Sequence, residues 1–493
     1  AKRKDLLYTG RTLFGAMPPK GQELDDHYFG TIKPRIAAFM QELNTELWRL
    51  GVLAKTEHNE VAPAQHELAP IFSTANIAAD HNQLTMEVMQ KLAKKHGLVC
   101  LLHEKPFDGV NGSGKHNNWS LCTNTGVNLL EPGDTPHENA QFLLFLCAVI
   151  KAVDEYQDLL RISIATAGND HRLGANEAPP AIVSMFLGEE LEGVLDAIES
   201  GAAYDAREHV QMKIGVHVLP RFPKDTTDRN RTSPVAFTGN KFEFRMPGSS
   251  VSISDANVVI NTAVAESLKQ YADILEAASD FKATLHDLIR GTIKKHKRII
   301  FSGNGYDDAW IAEADRRGLS NLRTTPDALK HFLDEKNVAL FTSHRVLSEA
   351  EIKARHEIML ESYCKIVNIE ALTMLDMAKK QILPAVTAYA GQLASAAAAK
   401  RSVLASVDCT FEEHAISDLS DLSAKLYRET LALSDVLALA AKAPSPEAAA
   451  DCYKNSVIGA MAALRATADA LETITAAEYW PFPTYGALLF GII

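Results

Sequence analysis

The chain has 493 residues, of which 46% are apolar and 23% are charged, and a formal net charge of −12. This length exceeds what one hydrophobic core usually organises, and it predicts two or three domains. The composition is typical of a soluble globular protein, and no uninterrupted apolar run has the length of a membrane-spanning helix. An acidic chain without a long basic run does not suit nucleic acid. We therefore expect neither a membrane nor a nucleic acid as a partner.

Six cysteines are scattered along the chain without CxxC spacing. This predicts neither a zinc site nor a disulfide framework, and it favours reduced thiols in a cytoplasmic protein. The first residues, Ala-Lys-Arg-Lys-Asp, include neither a signal-peptide core nor an initiator Met. This beginning is compatible with a processed or partial chain.

Up to about residue 346, helices and short strands alternate irregularly. Apolar residues at helical spacing predict helices over 31–51 and 82–95. Short runs of apolar, β-branched or aromatic residues predict strands at 98–103, 118–123, 214–219 and 241–246. Polar stretches predict loops at 169–180 and 223–232. The pattern is typical of an α+β domain with a curved, largely antiparallel sheet flanked by helices.

The remainder of the chain has a helical pattern throughout. Ser348 and Glu351 form a capping box before a long helical run. A leucine stripe close to heptad spacing follows, and Ser445 is placed to cap a third helix. We therefore divide the chain into a chemical domain, residues 1–346, and an all-helical C-terminal domain, residues 347–493, to which we assign a role in assembly.

The first segment with chemical character is 57–68, where Glu60 and Glu67 lie on either side of a proline. The proline makes one continuous helix through both residues unlikely to form, whereas a turn could bring both carboxylates to one cation. Oxygen ligands of this kind suit Mg²⁺ or Mn²⁺. Two exposed glutamates beside a turn are the commoner alternative.

The second segment, 109–120, nearly matches the phosphate loop GxxxxGK[ST]. His116 stands where that loop requires Ser or Thr, and a polar strand follows instead of an apolar helix, so we reject this assignment. What remains is a glycine-rich loop that a ligand can approach, followed by a histidine that could bind metal. A histidine with only a structural hydrogen bond is an equally common alternative.

The third segment, 169–180, combines Arg172 with Glu177 in a stretch containing glycine and prolines. The guanidinium suits a carboxylate or phosphate, and the composition is typical of an ordered lid. A surface turn with an ion pair is the alternative.

The fourth segment, 228–247, ends in a strand pattern in which Glu243 and Arg245 alternate with apolar residues. One face of this strand is therefore apolar, and the other carries an acid beside a base. An exposed ion pair would explain this, and so would a cleft floor that holds a metal and an anion.

The four segments together resemble the ordered motifs of the glutamine synthetase family. The matching strings are Glu-Val-Ala-Pro-Ala-Gln-His-Glu, Asn-Gly-Ser-Gly-Lys-His, Asn-Glu-Ala-Pro-Pro and Glu-Phe-Arg-Met-Pro-Gly. Their wording, the helical C-terminus and the ending Tyr-Trp-Pro-Phe-Pro resemble the type III branch. The resemblance covers the chain nearly end to end and implies the catalytic fold of that family.

The resemblance also implies two pairs of metal ligands. Glu60 and Glu67 match ligands of the metal on the glutamate side, and His116 and Glu243 match ligands of the metal on the ATP side. It implies ATP and two or three Mg²⁺ or Mn²⁺ ions in each site.

Substrate contacts follow from the same match. Asn111 and Gly112 would hold glutamate, Arg172 would bind its α-carboxylate, and Arg245 would pair with the reacting γ-carboxylate.

Three further residues match positions that act on nucleotide or on protons. Arg231 would neutralise ATP phosphates, Ser120 would contact nucleotide, and Glu177 would close the site and accept a proton from the attacking nitrogen. Catalytic roles are therefore expected of Glu177, Arg245 and Arg231.

Two departures from the family pattern stand out. Ala236 occupies a position where the family commonly has a second phosphate-binding arginine. A Glu-x-Glu strand and a small N-terminal β domain have no counterpart, and we expect both upstream of Ala1. We accordingly expect these residues alone to make no detectable glutamine.

The implied function is ATP-dependent ligation of ammonium to the γ-carboxylate of L-glutamate through γ-glutamyl phosphate, in nitrogen assimilation. The implied assembly is a homo-oligomer of stacked hexameric rings in the cytoplasm. A related ligase for a larger amine and a catalytically silent scaffold are the alternatives.

Overall fold

The computed structural model describes residues 3–174, 178–201, 211–212, 222–223 and 232–491. The chain forms two compact units. The first unit comprises Ala1–Ser113, Thr166–His171 and Arg355–Ile493, and the second unit comprises Gly114–Ala165 and Arg172–Ala354. The functional division into residues 1–346 and 347–493 stays a prediction, because compactness of the backbone does not assign functions.

The described residues form helices and short strands in an irregular order. The helices are α1 (Lys4–Thr9), α2 (Pro34–Arg49), α3 (Ala75–Lys95), α4 (Ala140–Glu155), α5 (Gln157–Ile162), α6 (Ala167–Arg172), α7 (Glu189–Ser200), α8 (Ser254–Glu276), α9 (Phe281–His296), α10 (Asp308–Arg316), α11 (Thr325–Leu329), α12 (Glu335–Ser343), α13 (Glu349–Met377), α14 (Leu383–Val403), α15 (Thr410–Ala440), α16 (Pro446–Cys452), α17 (Ile458–Ile474) and α18 (Tyr485–Phe490). The strands are β1 (Ala54–Asn59), β2 (His66–Pro70), β3 (Asn117–Trp119), β4 (Met185–Phe186), β5 (Gln211–Met212), β6 (Phe222–Pro223), β7 (Val235–Phe237) and β8 (Phe242–Phe244).

Helix α2 packs against the hairpin of β1 and β2 in the first unit. Leu43, Leu47 and Val52 are buried there, and side chains of β2 and α3 pack against them. The helix predicted over 31–51 is thus confirmed, and its first residue is a proline, whose missing N–H has no helical partner at that position in any case. The helix predicted over 82–95 is also present, but it begins at Ala75.

The strand predicted at 98–103 is wrong, because these residues have no strand partner among the described residues. Gly97 adopts φ 65°, and the Leu98 N–H donates to the Ala93 carbonyl at 2.7 Å. This hydrogen bond, with glycine in the left-handed conformation, forms a C-terminal helix cap that ends α3 and turns the chain. The apolar run that follows therefore continues as irregular backbone. Val99 is 74% exposed, and the run lacks the buried face that a strand needs.

The second unit contains a four-stranded sheet in the order β3-β8-β7-β4. Strands β3, β8 and β7 are antiparallel neighbours, and β4 joins β7 in parallel. The predicted α+β class with a largely antiparallel sheet is confirmed. The strands predicted at 118–123 and 241–246 are present in shorter form, and the strand predicted at 214–219 lies outside the described residues. Most of the loop predicted at 223–232 also lies outside them.

Helix α6 overlaps the loop predicted at 169–180, so that prediction is wrong for its first residues. Thr166 provides the reason, because its Oγ1 accepts from the Asn169 N–H at 3.1 Å. A threonine side chain at this position caps a helix, and this signal was present in the sequence.

The predicted helix caps of the C-terminal region are confirmed. The Ser348 N–H donates to Glu351 Oε2 at 2.8 Å, and the Glu351 N–H donates to Ser348 Oγ at 3.3 Å. The Ala448 N–H donates to Ser445 Oγ at 3.2 Å. The predicted leucine stripe on α15 is buried at seven-residue intervals, at Leu419, Leu426 and Leu433.

The helical run Glu349–Val403 includes an 18-residue window with a mean hydropathy of 1.2, of which 22% is buried. By length and composition alone this run could cross a membrane, which the sequence prediction did not anticipate. One such run is weak evidence of a membrane segment, because helices of soluble proteins meet the same criteria. The expected absence of a membrane partner therefore stays a prediction.

Glu472 on α17 couples the stability of the first unit to pH. Its Oε2 is buried without a hydrogen-bond partner among the described residues, and burial raises its pKa to about 7 despite a hydrogen bond from the Ala16 backbone. Between pH 4.5 and 7 the folded state therefore binds more protons than the unfolded state, and stability must fall as pH rises through this range.

We predict that Glu472→Gln raises the melting temperature at pH 8 and leaves it nearly unchanged at pH 5, because the amide carries no charge at either pH. Thermal unfolding of both proteins at the two pH values measures this. Glu361→Gln, an exposed glutamate on α13, is the control. An increase of equal size at both pH values would contradict the ionisation argument.

Candidate functional site

The hairpin of β1 and β2 brings together the two glutamates predicted to bind one metal. The turn is closed by the Glu60 N–H, which donates to the Gln65 carbonyl at 2.9 Å, and Ala64 adopts a left-handed φ of 58°. His58 pairs with Glu67 across the strands, so both side chains lie on one face. Ligand atoms of His58, Glu60 and Glu67 all lie within 4.8 Å of one another.

His58 supplies positive charge between the two carboxylates. Its Nε2 lies 2.8 Å from Glu67 Oε2, and its Nδ1 lies 3.7 Å from Glu60 Oε1. Burial opposes protonation, but the Asn59 carbonyl and the two carboxylates outweigh it and raise the pKa of His58. The two carboxylates thus favour the protonated form of His58, and that form offsets the repulsion between the glutamates.

The orientation of His58 fits a metal ligand. Its Nδ1–H donates to the Asn59 carbonyl at 2.9 Å, and Nε2 points toward the Glu67 carboxylate. Metal-binding histidines commonly donate their second ring N–H to a carbonyl in this way. The sequence-based assignment missed His58. Its spacing of two residues from Glu60 on a strand was the signal that could have identified it.

The predicted substrate residues Asn111 and Gly112 are tied to neighbouring segments of the first unit. Gln22 forms a reciprocal pair with Asn111: the Asn111 N–H donates to its Oε1 at 2.9 Å, and its Nε2 donates to Asn111 Oδ1 at 2.7 Å. Gln65 Nε2 donates to the Gly112 carbonyl at 2.8 Å. The glycine-rich loop and the metal-site turn are therefore one hydrogen-bonded assembly.

In the second unit, β8 brings Glu243 next to His116 and Arg245. His116 directly precedes β3, and its Nδ1 lies 3.4 Å from Glu243 Oε1. Both Nε and Nη2 of Arg245 lie 2.8 Å from Glu243 Oε2. Burial disfavours the carboxylate, but the hydrogen bond and charge of His116 and the charge of Arg245 outweigh burial and hold the pKa of Glu243 at about 2. Glu243 is therefore an anion at neutral pH and suits a cation.

Arg172 contacts backbone carbonyls of the segment that follows β8. Its Nη2 donates to the Arg245 carbonyl at 3.2 Å, and its Nη1 donates to the carbonyls of Met246 at 3.2 Å and Pro247 at 3.3 Å. A Cβ at Gly114 would lie 2.0 Å from Nη2, so only glycine fits there without displacing the guanidinium. Arg172 thus positions the backbone of Arg245, and its role toward substrate stays a prediction.

Ser120 lies at the exposed end of the same sheet. Its Oγ lies 2.8 Å from Asn128 Oδ1 and 2.9 Å from the Asn240 carbonyl, so two acceptors compete for its one proton. Ala236 is fully buried on β7, directly opposite Glu243. An alanine there supplies no charge, and among the matched residues of this sheet that the structure describes, Glu243 contacts His116 and Arg245.

Two predicted residues, Glu177 and Arg231, lie outside the described residues. Glu60, Glu67, Asn111 and Gly112 belong to the first unit, and the second unit contributes His116, Ser120, Arg172, Glu243 and Arg245. Each unit therefore brings together one of the two predicted ligand pairs.

Comparisons with known proteins agree on one family. Residues 16–181 match the description "Glutamine synthetase, catalytic domain", and residues 284–401 match "Glutamine synthetase C-terminal domain". The chain is 50% identical to a glutamine synthetase of Butyrivibrio fibrisolvens, over 100% of this chain and 70% of the relative. It is 47% identical to the type-3 glutamine synthetase of Dictyostelium discoideum, over 99% of this chain and 67% of the relative.

Solved structures with a similar backbone include "CryoEM Plasmodium falciparum glutamine synthetase", with a TM-score of 0.46 and 13% identity over 68% of this chain and 60% of that one. Another is "Apo GmaS without ligand", with a TM-score of 0.44 and 14% identity over 71% of this chain and 63% of that one.

We predict that His58→Asn lowers the affinity of the first unit's site for Mn²⁺ by about tenfold, because one ligand and one charge partner are lost together. Calorimetric titration of the variant with MnCl₂ measures this. His414→Asn, which replaces an exposed histidine on α15, should bind as the unmodified protein does. Equal affinity of all three proteins would remove His58 from the site.

We predict that Glu243→Gln weakens one class of Mn²⁺ site by about tenfold or more while the fold is retained, because the isosteric amide can still accept from Arg245 but carries no charge. Calorimetry gives the affinity and circular dichroism gives the fold. Glu335→Gln, at an exposed position on α12, is the matched control. Unchanged stoichiometry and affinity would contradict the assignment of Glu243 as a ligand.

Proposed function

The chain belongs to the glutamine synthetase family, and we propose on this basis that it joins ammonium to the γ-carboxylate of L-glutamate using ATP. The observation that carries the proposal is 50% identity to a glutamine synthetase across the whole chain, with both ligand pairs formed by the residues that match the family motifs. Neither a larger-amine ligase nor a silent scaffold is favoured by any relative at 42–50% identity, since each of these relatives is named a glutamine synthetase.

The first chemical step must convert a carboxylate into an acyl donor. A carboxylate reacts poorly with nitrogen nucleophiles, so transfer of the γ-phosphoryl group of ATP gives γ-glutamyl phosphate and ADP. Divalent cations, when bound, offset the charge on the transferring phosphoryl group. His58, Glu60 and Glu67 would hold one cation, and His116 with Glu243 would hold the other.

Arg245 is proposed to orient the reacting γ-carboxylate. Its guanidinium is nearly buried, and Glu243 fixes its direction through Nε and Nη2. A guanidinium has five N–H donors in one plane, so a carboxylate of the substrate and Glu243 can be contacted together. Arg231 is proposed to offset charge on the ATP phosphates, and Ser120 to contact the nucleotide.

The second step needs a free amine and a dry site. Ammonium must lose a proton before nitrogen attacks the acyl phosphate, and a nearby carboxylate must accept protons as the amide forms. We assign the latter role to Glu177, and we expect its segment to exclude water, which would otherwise hydrolyse the acyl phosphate. Asn111 and Gly112 are proposed to hold glutamate, and Arg172 to bind its α-carboxylate.

We further propose a cytoplasmic homo-oligomer of stacked hexameric rings. Free thiols at all six cysteines support a reducing compartment. On α13, the exposed apolar residues Ile358, Ile369 and Leu372 form a face that solvent alone does not favour, and burial against another subunit would cover it.

The function is tested on the protein with the expected upstream Glu-x-Glu strand and small β domain restored, by incubation with ATP, L-glutamate, ammonium and saturating Mg²⁺ or Mn²⁺. We expect glutamine and ADP in a ratio of one to one, and γ-glutamyl hydroxamate when hydroxylamine replaces ammonium. Glu243→Gln should lower turnover about a hundredfold or more, and Glu335→Gln should not. ADP formation that is independent of glutamate, or products formed only with ethanolamine or a polyamine, would overturn the proposal.

A further inference from the structure

The last helix of the described chain, α18, packs beneath the two segments that carry site residues of the first unit. Tyr485 and Leu489 are 0% and 2% exposed, and they form one buried cluster with Ala62 and Val110. Ala62 lies two residues after Glu60 in the hairpin turn, and Val110 directly precedes Asn111. A cation ligand and a substrate residue therefore rest on the same apolar support.

The hydroxyl of Tyr485 is fully engaged with the segment leading to Asn111. It accepts from the Asp108 N–H at 3.0 Å, across 377 residues of sequence. It also lies 2.6 Å from Thr12 Oγ1, and that oxygen donates its own proton to the Pro106 carbonyl at 2.8 Å. The Tyr485 proton must therefore go to Thr12, and the hydroxyl fixes the backbone of residues 106–108.

A charged pair on α17, Arg465 with Asp469, also contacts the Tyr485 hydroxyl. Arg465 Nη2 donates to the Tyr485 hydroxyl at 2.8 Å, and Arg465 Nε lies 3.1 Å from Asp469 Oδ2. Asp469 Oδ1 accepts from the Gly15 N–H at 2.6 Å. Any Cβ at Gly15 would lie 2.1 Å from the Tyr485 ring, so the glycine lets the backbone lie directly against the aromatic face.

The ring of Tyr485 is also held in place by packing. Phe107 meets it edge-on, with ring centroids 5.3 Å apart at an interplanar angle of 90°. Lys105 donates through Nζ to the Val110 carbonyl, which joins the two ends of the same loop. A side chain restrained on all sides transmits little motion to the residues that it supports.

We infer that Tyr485 is a positioning residue of the proposed synthetase site, through which the C-terminal helices hold the Glu60 turn and the Asn111 loop in register. The inference rests on the proposed function for the identity of the ligands, and on the contacts above for the support. It gives the helical C-terminal region a role in substrate and cation binding in addition to the predicted role in assembly.

The test is Tyr485→Phe in the full chain, which keeps the ring and removes only the hydroxyl. We expect the KM for glutamate and the dissociation constant for Mn²⁺ to rise about fivefold, because the variant loses all three hydrogen bonds of the hydroxyl and part of that loss reaches the turn and the loop. The KM for ATP should change less than twofold, because Ser120 and the pair of His116 with Glu243 belong to the other unit.

Tyr453→Phe is the matched control. Tyr453 is 7% exposed in the same helical region, and its hydroxyl donates to Asn368 Oδ1 at 3.2 Å, away from the hairpin and the loop. If Tyr485 had a purely structural role, both variants would be less thermally stable. The KM for glutamate and the dissociation constant for Mn²⁺ would then be the same in Tyr485→Phe as in Tyr453→Phe. Equal KM and Mn²⁺ affinity in the two variants would therefore overturn the inference.

A second variant tests the contact between the Tyr485 hydroxyl and Thr12 by changing Thr12. Thr12→Val is nearly isosteric and removes the acceptor of the Tyr485 proton, so it should shift the same two constants in the same direction. If the unmodified protein, assayed with the same upstream segment restored, binds Mn²⁺ but forms no glutamine, the proposed function fails, and Mn²⁺ titration of the two variants still decides the inference. Unchanged Mn²⁺ affinity in both folded variants would overturn it.

Discussion

Mutual repulsion between carboxylates held close together is the constraint on which the candidate site of the first unit depends. Two unit charges about 4 Å apart repel by about 4 kcal/mol at an effective dielectric constant near 20. Glu60 and Glu67 are gathered within such a distance, and His58 lies between them with a raised pKa. In the second unit, Glu243 is a single, partly buried carboxylate, and the Arg245 guanidinium offsets its charge while His116 lies beside it. Each group of ligands can therefore persist before any cation binds.

Such charged groups are useful only if the backbone around them keeps its position. In the first unit the hairpin register sets His58 opposite Glu67, and Gln65 joins the turn to the glycine-rich loop. In the second unit Arg172 donates to three consecutive carbonyls, beginning with that of Arg245. Buried hydrogen bonds of a charged donor are costly to break, so they fix the backbone that carries the Arg245 side chain.

The helical C-terminal region is part of the same compact unit as the hairpin. Its last helix supplies Tyr485 to the cluster beneath Ala62 and Val110. The predicted division between a chemical and an assembly domain remains a prediction, and the inferred role of Tyr485 would add a second role for the helical region. The apolar face of α13 is exposed and that of α18 is buried, so the two roles would use different surfaces.

The sequence alone determined the family, the class of fold and most of the chemically important residue types. Motif spacing predicted Glu60, Glu67, His116 and Glu243 as ligands, since residue type and spacing are local information. Caps at Ser348 and Ser445 were equally readable, because a cap depends on residues within one turn.

Only the tertiary structure decided which of these residues meet and what supports them. His58 was not recognised as a ligand, because its proximity to Glu67 depends on strand register across the turn. The sequence also could not predict that Arg172 donates to backbone carbonyls. Nor could it predict that Tyr485 packs against residues almost four hundred positions earlier. Local patterns encode propensity and charge, whereas contacts between distant segments depend on how the whole chain packs, which no spacing rule contains.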